Sequence, residues 1–493
     1  MEIKGKSKHV LGDSVLADVD TKPGLNGNPV AIGFGFGFPK PGGGSISHWL
    51  QGAIEDPLFN HRSTTELPLS VDIIIIGSGI SGTLIAKHSL ETWPEKSVLV
   101  IEARRFCSGA TGRNAGHCKP DQYRGFSKYE QAFGTEQAIK ILENEQQTWS
   151  DVVSYVKENN VHCDFWVGDT LDVPTTSATA HATKAAYECL KAAGGKTDHI
   201  KVTLDPVEAS KISRIKDAQA CYAWPASTLN PWKLTAHIMR SNLQSNKFNL
   251  QTHTLVTGVS RSTEDPEKWT VHTSDRGSIS CSEVVHATNA YSSAIEPSMR
   301  GIIRPHPHIC TRAIPPSTFT GSVGLQNSYG VLLDGGAMFS VNPRCTADGV
   351  VLFGGSNPGQ KRLNEWLEKH PERWVDDDLS GEEFVTPAVK NFAEKEYIGW
   401  NTTHGNEAAV YDHSWSGIIA LTPDSVPLIG ELPGLPGQWI CAGHNGHGMA
   451  RIFTAAPGLV KLMNGKTWED TNLPDVFAIT PERMSRLREC SQL

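Results

Sequence analysis

The run Val71-Asp72-Ile73-Ile74-Ile75-Ile76-Gly77-Ser78-Gly79-Ile80-Ser81-Gly82 constrains this chain more than any other stretch. Glu102 follows its last glycine by 20 residues and closes a second apolar run, Val98-Leu99-Val100-Ile101. Continuous β-branched runs predict strands buried on both faces of a parallel sheet. Gly77 then permits a tight turn, Gly79 lets the backbone approach a pyrophosphate, and Gly82 lets the next helix pack close, with the phosphates on that helix's N-terminus. A carboxylate at Glu102 suits adenosine ribose hydroxyls and repels a 2′-phosphate, so the unit predicts a dinucleotide other than NADP.

The chain's 493 residues exceed the reach of one hydrophobic core, and about two or three domains are expected. Its net charge of −8 is spread without a basic tract, which argues against a nucleic-acid or anionic-membrane surface and for small-molecule partners. No apolar run approaches the roughly 20 residues that span a bilayer, and the N-terminus leads into no signal core, so a soluble, cytoplasmic protein is expected. Ser491-Gln492-Leu493 differs by one residue from the Ser-Lys-Leu peroxisomal address, a weaker second expectation. Ten cysteines without a Cys-x-x-Cys pair indicate neither a disulfide framework nor a metal site.

Residues 1–65 read as an irregular extension carrying the repeat Gly33-Phe34-Gly35-Phe36-Gly37-Phe38. Helices are expected over 133–160, around 230–234, over 361–376 and over 448–463. Short strands are expected at 253–259, 269–273, 278–281, 284–288 and 350–353, and again at 428–430 and 439–443.

Just past Glu102-Ala103-Arg104, the stretch Ser108-Gly109-Ala110-Thr111-Gly112-Arg113-Asn114-Ala115-Gly116-His117 resembles the D-amino-acid oxidase superfamily of FAD enzymes, above all its glycine, sarcosine and gamma-glutamylputrescine oxidase-like branch. The likeness continues through Ala287-Thr288-Asn289-Ala290-Tyr291, Leu352-Phe353-Gly354-Gly355, Thr422-Pro423-Asp424 and Gly443-His444-Asn445-Gly446-His447-Gly448-Met449, and covers about residues 66–465. It implies an α/β fold with an α+β second domain, in which a Rossmann-type FAD-binding domain of the glutathione-reductase kind carries an antiparallel-sheet substrate domain. The expected division is 66–125, about 200–300 and 412–465 for FAD, about 126–200 and 301–411 for substrate, and a tail over 466–493. The resemblance places Gly77, Gly79, Ser81 and Gly82 at the pyrophosphate, and Glu102, Ala103, Arg104 and Val256 at the adenosine. Ala110, Thr111, Arg113, Asn114 and Ala115 are placed along the phosphates and isoalloxazine, and Gly446, His447, Gly448 and Met449 beside the flavin N1 and C2 carbonyl. Dimethylglycine and sarcosine dehydrogenases carry flavin on a histidine where this chain has Arg113, so noncovalent FAD is expected, with His117 and Cys118 as the only nearby alternatives for a linkage.

The chemistry implied is hydride transfer from a carbon beside nitrogen to flavin N5, imine formation, and reoxidation by dioxygen to peroxide. An amine-type small molecule is the expected substrate. His117, His306, His308 and His447 are the candidates for proton handling, and Arg312, with Arg304, for anchoring a carboxylate. Trp224, Trp232, Tyr291 and Trp415 line either a substrate cage or the core. A flavin dehydrogenase or tailoring enzyme acting on a larger substrate, and a non-catalytic flavin-binding scaffold, stay open alongside.

Overall fold

A computed structural model of the protein describes residues 37–40, 44–401 and 408–492. Most of the Gly-Phe repeat and Leu493, the last residue of the peroxisome-like tripeptide, lie outside the described residues.

The isoleucine-rich runs form the centre of one sheet. Its strand order is Leu428–Glu431, Gln438–Ala442, Ser278–His286, Ser70–Ile76, Val98–Ile101 and Phe248–Gln251. Neighbours run parallel except the first pair. Alternate residues face opposite layers. Ile73, Ile75, Val98, Val100 and Val285 pack on the helices Ile80–Thr92, Pro231–Asn242 and Ile452–Met463. Ile74, Ile76, Leu99 and Ile101 pack on the hairpin Val256–Arg261 and Trp269–Thr273. Both faces are thereby dry, and each isoleucine so buried contributes on the order of 1.5–3 kcal/mol.

The second sheet runs Val410–Leu421, Arg304–Ile314, Val351–Gly354, Met338–Pro343, Ser328–Leu332, Trp166–Pro174, Cys221–Thr228 and His117–Cys118, with Lys201–Thr203 beside Cys221–Thr228. It is antiparallel except where Ser328–Leu332 meets Trp166–Pro174 in parallel. The two-residue period sorts it cleanly. Leu171, Val173, Tyr329, Val331, Phe339, Val341, Val351 and Phe353 face the helices Pro358–Leu367 and Val385–Glu396. Tyr222, Trp224, Cys310, Leu352 and Trp415 belong to the core shared with the first sheet. The face bearing Asp172, Gly330, Ser340 and Gly354 therefore looks toward the nucleotide unit.

Several boundaries differ from the sequence expectation. Lys201–Thr203, Cys221–Thr228 and Val410–Leu421 join the second sheet, although 200–300 and 412–465 were expected with the first. Cys221–Thr228 is almost wholly buried and has no alternation to reveal its sheet. The segment expected as irregular holds a helix His48–Gln51 and a 3-10 turn Pro57–Asn60. The tail ends in a helix, Pro481–Gln492. The helix expected over 361–376 stops at Leu367, ahead of Pro371, which lacks the N–H to continue it. Among the described residues no helix is long and apolar enough to cross a membrane.

Candidate functional site

The carboxyl ends of the parallel strands gather the loops after Ile76, Ile101, His286 and Ala442 along one edge, where open α/β sheets bind their ligands. Gly77 has φ +107°, and a Cβ there would stand 2.8 Å from the Ala287 carbonyl oxygen. A Cβ on Gly82 would lie 2.0 Å from the Gly77 carbonyl oxygen, so the helix sits as close as the motif requires. Gly79 caps that helix, and the Ile80 amide donates to Thr111 Oγ1 at 3.1 Å. Glu102 accepts the Ser78 hydroxyl at 2.7 Å and the Ser78 and Arg104 amides, which fixes its carboxylate beside the glycine turn. Val256 is buried against Ile76 and Ile101. Arg104 makes a bidentate pair with Asp377, at 3.1 and 2.8 Å.

The loop from Gly112 to Gly116 has every carbonyl held by a different donor. Ser47 Oγ donates to Gly112. Trp415 Nε1 reaches Arg113 at 2.7 Å, Trp49 Nε1 reaches Asn114 at 2.6 Å, and Asn342 Nδ2 reaches Ala115 at 2.8 Å. The Leu229 amide reaches Gly116 at 2.9 Å. Arg113 is buried, and its guanidinium donates to the carbonyls of Ser108, Ser45 and Ser416 instead of pointing at a ligand. Trp224, Trp232 and Trp415 are buried and each donates to a backbone carbonyl, Tyr291 donates to that of Val375, and Lys119 Nζ lies 4.9 Å from the centre of the Trp224 ring.

On the sheet face above, Lys119 Nζ lies 2.7 Å and Arg124 Nε 2.9 Å from the two oxygens of fully buried Asp172. Tyr123 donates to the same carboxylate at 3.2 Å. Arg124 Nη1 is left against the Met338 thioether, a weak acceptor. Gly330 is required here, because a Cβ would stand 2.5 Å from Asp172 Oδ1. His306 and His308 share one face of their strand, opposite Ile419 and Gly417, whose neighbours are the Gly446 and Arg113 loops. Burial, with His308 added for His306, lowers both to about 4. His117 has both ring nitrogens buried without a hydrogen-bond partner among the described residues, and burial beside Lys119 lowers it to about 3. Arg312 is taken up by Asp412 in a bidentate pair, at 2.9 and 2.6 Å, and by His48 and Gln51, so it is not available as a carboxylate anchor. Arg304 donates to the backbone of Gly301 and Cys490 at the far end of the strand.

His447 stands at the start of the turn that opens the helix Ile452–Met463, and its Nδ1 lies 3.2 Å from Glu145. Arg451 binds the other oxygen of Glu145 at 2.8 Å, and both of these side chains are fully buried. Burial alone would raise Glu145, but the charges of His447 and Arg451 outweigh it and bring its pKa to about 2. The sequence reading passed over Lys119, Arg124, Asp172 and Glu145. Glu145 did leave a signal, since it sits in the apolar stripe Ala138, Ile141, Leu142, Thr148 and Val152 of an otherwise amphipathic helix.

Residues 72–462 match the family described as FAD dependent oxidoreductase, the DAO family. The chain belongs to this family. It is 21% identical over 431 residues to "Probable oxidoreductase OrdL" of Rhizobium meliloti (strain 1021), covering 85% of this chain and 89% of that protein. Among solved structures it resembles glycine oxidase from Geobacillus kaustophilus, with TM-score 0.61 and 17% identity over 84% of this chain and 99% of the other. L-proline dehydrogenase from P. horikoshii gives TM-score 0.57 and 22% identity over 83% and 98%. The protein is an FAD-dependent oxidoreductase, and the residues present fit that cofactor. The glycine turn is a cradle that a Cβ would fill, and His117 offers two buried nitrogens that need a partner. Neither route to a covalent linkage is favoured. The Cys118 thiol is pushed up to about 12 by burial and donates to the Met449 carbonyl, so it is not a thiolate, and the linkage-bearing position of the covalent relatives is occupied by Arg113. Acid precipitation is expected to leave all the flavin in the supernatant, whereas a yellow pellet yielding a flavopeptide on digestion would contradict this.

Proposed function

We propose that this enzyme oxidises the C–N bond of a small amino acid to an imine, which water hydrolyses, and that dioxygen takes the electrons as peroxide. The observation that carries this reading is the cationic site of Lys119 with Arg124, both held on Asp172, on the sheet face that looks toward the nucleotide unit; His306 and His308 share a face of a strand farther along the same sheet, opposite Ile419 and Gly417. FAD, when bound, supplies the acceptor for the hydride. The chain supplies position and charge. Lys119 and Arg124 take the substrate carboxylate, with Asp172 fixing both cations. His306 and His308, kept uncharged by burial, accept a hydrogen bond from the amine and disfavour its protonated form, in which nitrogen cannot release electron density to the carbon being oxidised. His117 and the backbone of Gly112–Gly116 border the cofactor. His447, steered by Glu145, adds a donor where negative charge collects on reduction.

The carboxylate site makes a specific demand on substrates. Lys119→Met removes one charge-assisted bond while leaving Asp172 paired to Arg124, and is expected to lower kcat/KM for an amino acid by about 10- to 100-fold. The corresponding decarboxylated amine, a poor substrate throughout, is expected to be unaffected. Equal losses on both compounds would remove Lys119 from the carboxylate site.

A further inference from the structure

We propose that the segment ahead of the nucleotide unit, Ser45–Leu50, is a built part of the cofactor site, a clasp that sets the 112–116 loop in its FAD-binding form. It lies outside the residues that match the family, yet two of the five carbonyls of that loop are held by it, Gly112 by Ser47 and Asn114 by Trp49.

The fit is tight on both sides of the contact. A Cβ on Gly116, φ +81°, would stand 2.8 Å from the Trp49 ring, and one on Gly112 would stand 3.1 Å from Leu50 Cδ2. Trp49 is 2% exposed and its outer face is covered by the Arg344 guanidinium, 4.6 Å from the ring centre. Ser47 also caps the short helix that presents Trp49, through the Leu50 amide at 3.1 Å. The segment is itself tied to the substrate sheet and not only to the loop. The Ser45 amide donates to the Asp377 carbonyl at 3.0 Å, and the Ser416 amide donates to Ser45 Oγ at 2.8 Å. Arg113 closes the circuit, giving one guanidinium nitrogen to both Ser45 and Ser416. A backbone carbonyl that loses a buried donor must rotate toward water or another partner. Rotation at Gly112 or Asn114 turns the adjoining amides of the cofactor loop with it, so retention of FAD depends on the clasp.

The inference rests on the assignment of Thr111 and its neighbours to the flavin, and the test separates the two. The rate at which the holoprotein loses flavin on dilution is measured for Trp49→Phe, Ser47→Ala, Thr111→Val and Trp400→Phe. Trp400 provides a matched control, since its indole N–H, like that of Trp49, makes one half-buried bond, to Tyr411 at 3.1 Å, on the far face of the second sheet. Release is expected to quicken about tenfold for Trp49→Phe, for Ser47→Ala and for Thr111→Val, and to stay within about twofold for Trp400→Phe. If Thr111→Val alone quickens release, the clasp is overturned and the loop assignment stands. If none does, the loop assignment falls and the clasp with it. If Trp49→Phe and Trp400→Phe quicken it alike, the loss is general loosening and the clasp is again overturned.

Discussion

Glu145→Gln is expected to destabilise the protein by about 3–5 kcal/mol at neutral pH, because it leaves the fully buried Arg451 guanidinium facing a neutral amide. The change is nearly isosteric, so little of the effect can come from a cavity. The carboxylate joins elements far apart in the chain. Glu145 belongs to the helix Thr135–Glu158, His447 and Arg451 cap the turn Gly448–Ala450 and the helix Ile452–Met463, and the Asp121 amide adds a third tie at 2.8 Å. The pH dependence follows from the direction of the shift. With a folded value of about 2 against an ordinary 4.5, the contribution is complete above pH 4.5 and is lost as the pH falls toward 2, for roughly 3 kcal/mol in all. Urea unfolding of wild type and variant across that range checks it. The two stabilities are expected to converge as the pH falls, and a gap that holds constant would show that Glu145 acts through packing alone.

The second large effect is acid lability that begins well above the carboxylate range. His117, His306, His308 and His444 are all lowered by burial, His117 and His444 to about 3 and the other two to about 4. Below the ordinary histidine value of 6.5 the unfolded chain takes up protons that the folded one refuses, so stability is full above pH 6.5 and falls from there toward pH 4. Each histidine contributes a slope of up to about 1.4 kcal/mol per pH unit, and the four act in the same direction. The double variant His306→Gln with His308→Gln is expected to lose part of the slope between pH 6.5 and 4.5, the rest staying with His117, His444 and the other histidines that burial lowers, His286 among them. A wild-type protein equally stable at both ends of that interval would mean that these rings are hydrated.

The nucleotide unit was legible from sequence because each of its residues answers to a local requirement. Gly77 needs a positive φ, Gly82 a missing Cβ and Glu102 a place at a strand end, and all three requirements lie within one strand-turn-helix-strand unit. The second sheet was legible only in part. His306 and His308 lie two residues apart and share one face of a strand, but nothing local distinguishes Arg312 from Arg124. What separates them is remote in sequence: Asp412 pairs with Arg312 one to one, whereas Asp172 is shared by Arg124 and Lys119 and leaves one positive charge in excess. Arg113 shows the same limit. Its position in a cofactor motif suggested a ligand contact, and the carbonyls of Ser45 and Ser416, from segments far away in the chain, claim its guanidinium. The clasp residues Ser47 and Trp49 sit in a stretch whose composition reads as a loop, and only the long-range hydrogen bonds give it a role.

The most direct test of amino-acid oxidation is an anaerobic titration of the yellow holoprotein with N-methyl and primary α-amino acids and with their decarboxylated amines, followed through the oxidised-flavin absorbance. The account predicts that at least one small amino acid bleaches the flavin stoichiometrically while its decarboxylated amine does not, and that admitting air restores the colour with one peroxide per flavin. A protein bleached by dithionite but by none of the amino acids, or bleached equally well by an amine without its carboxylate, would contradict it.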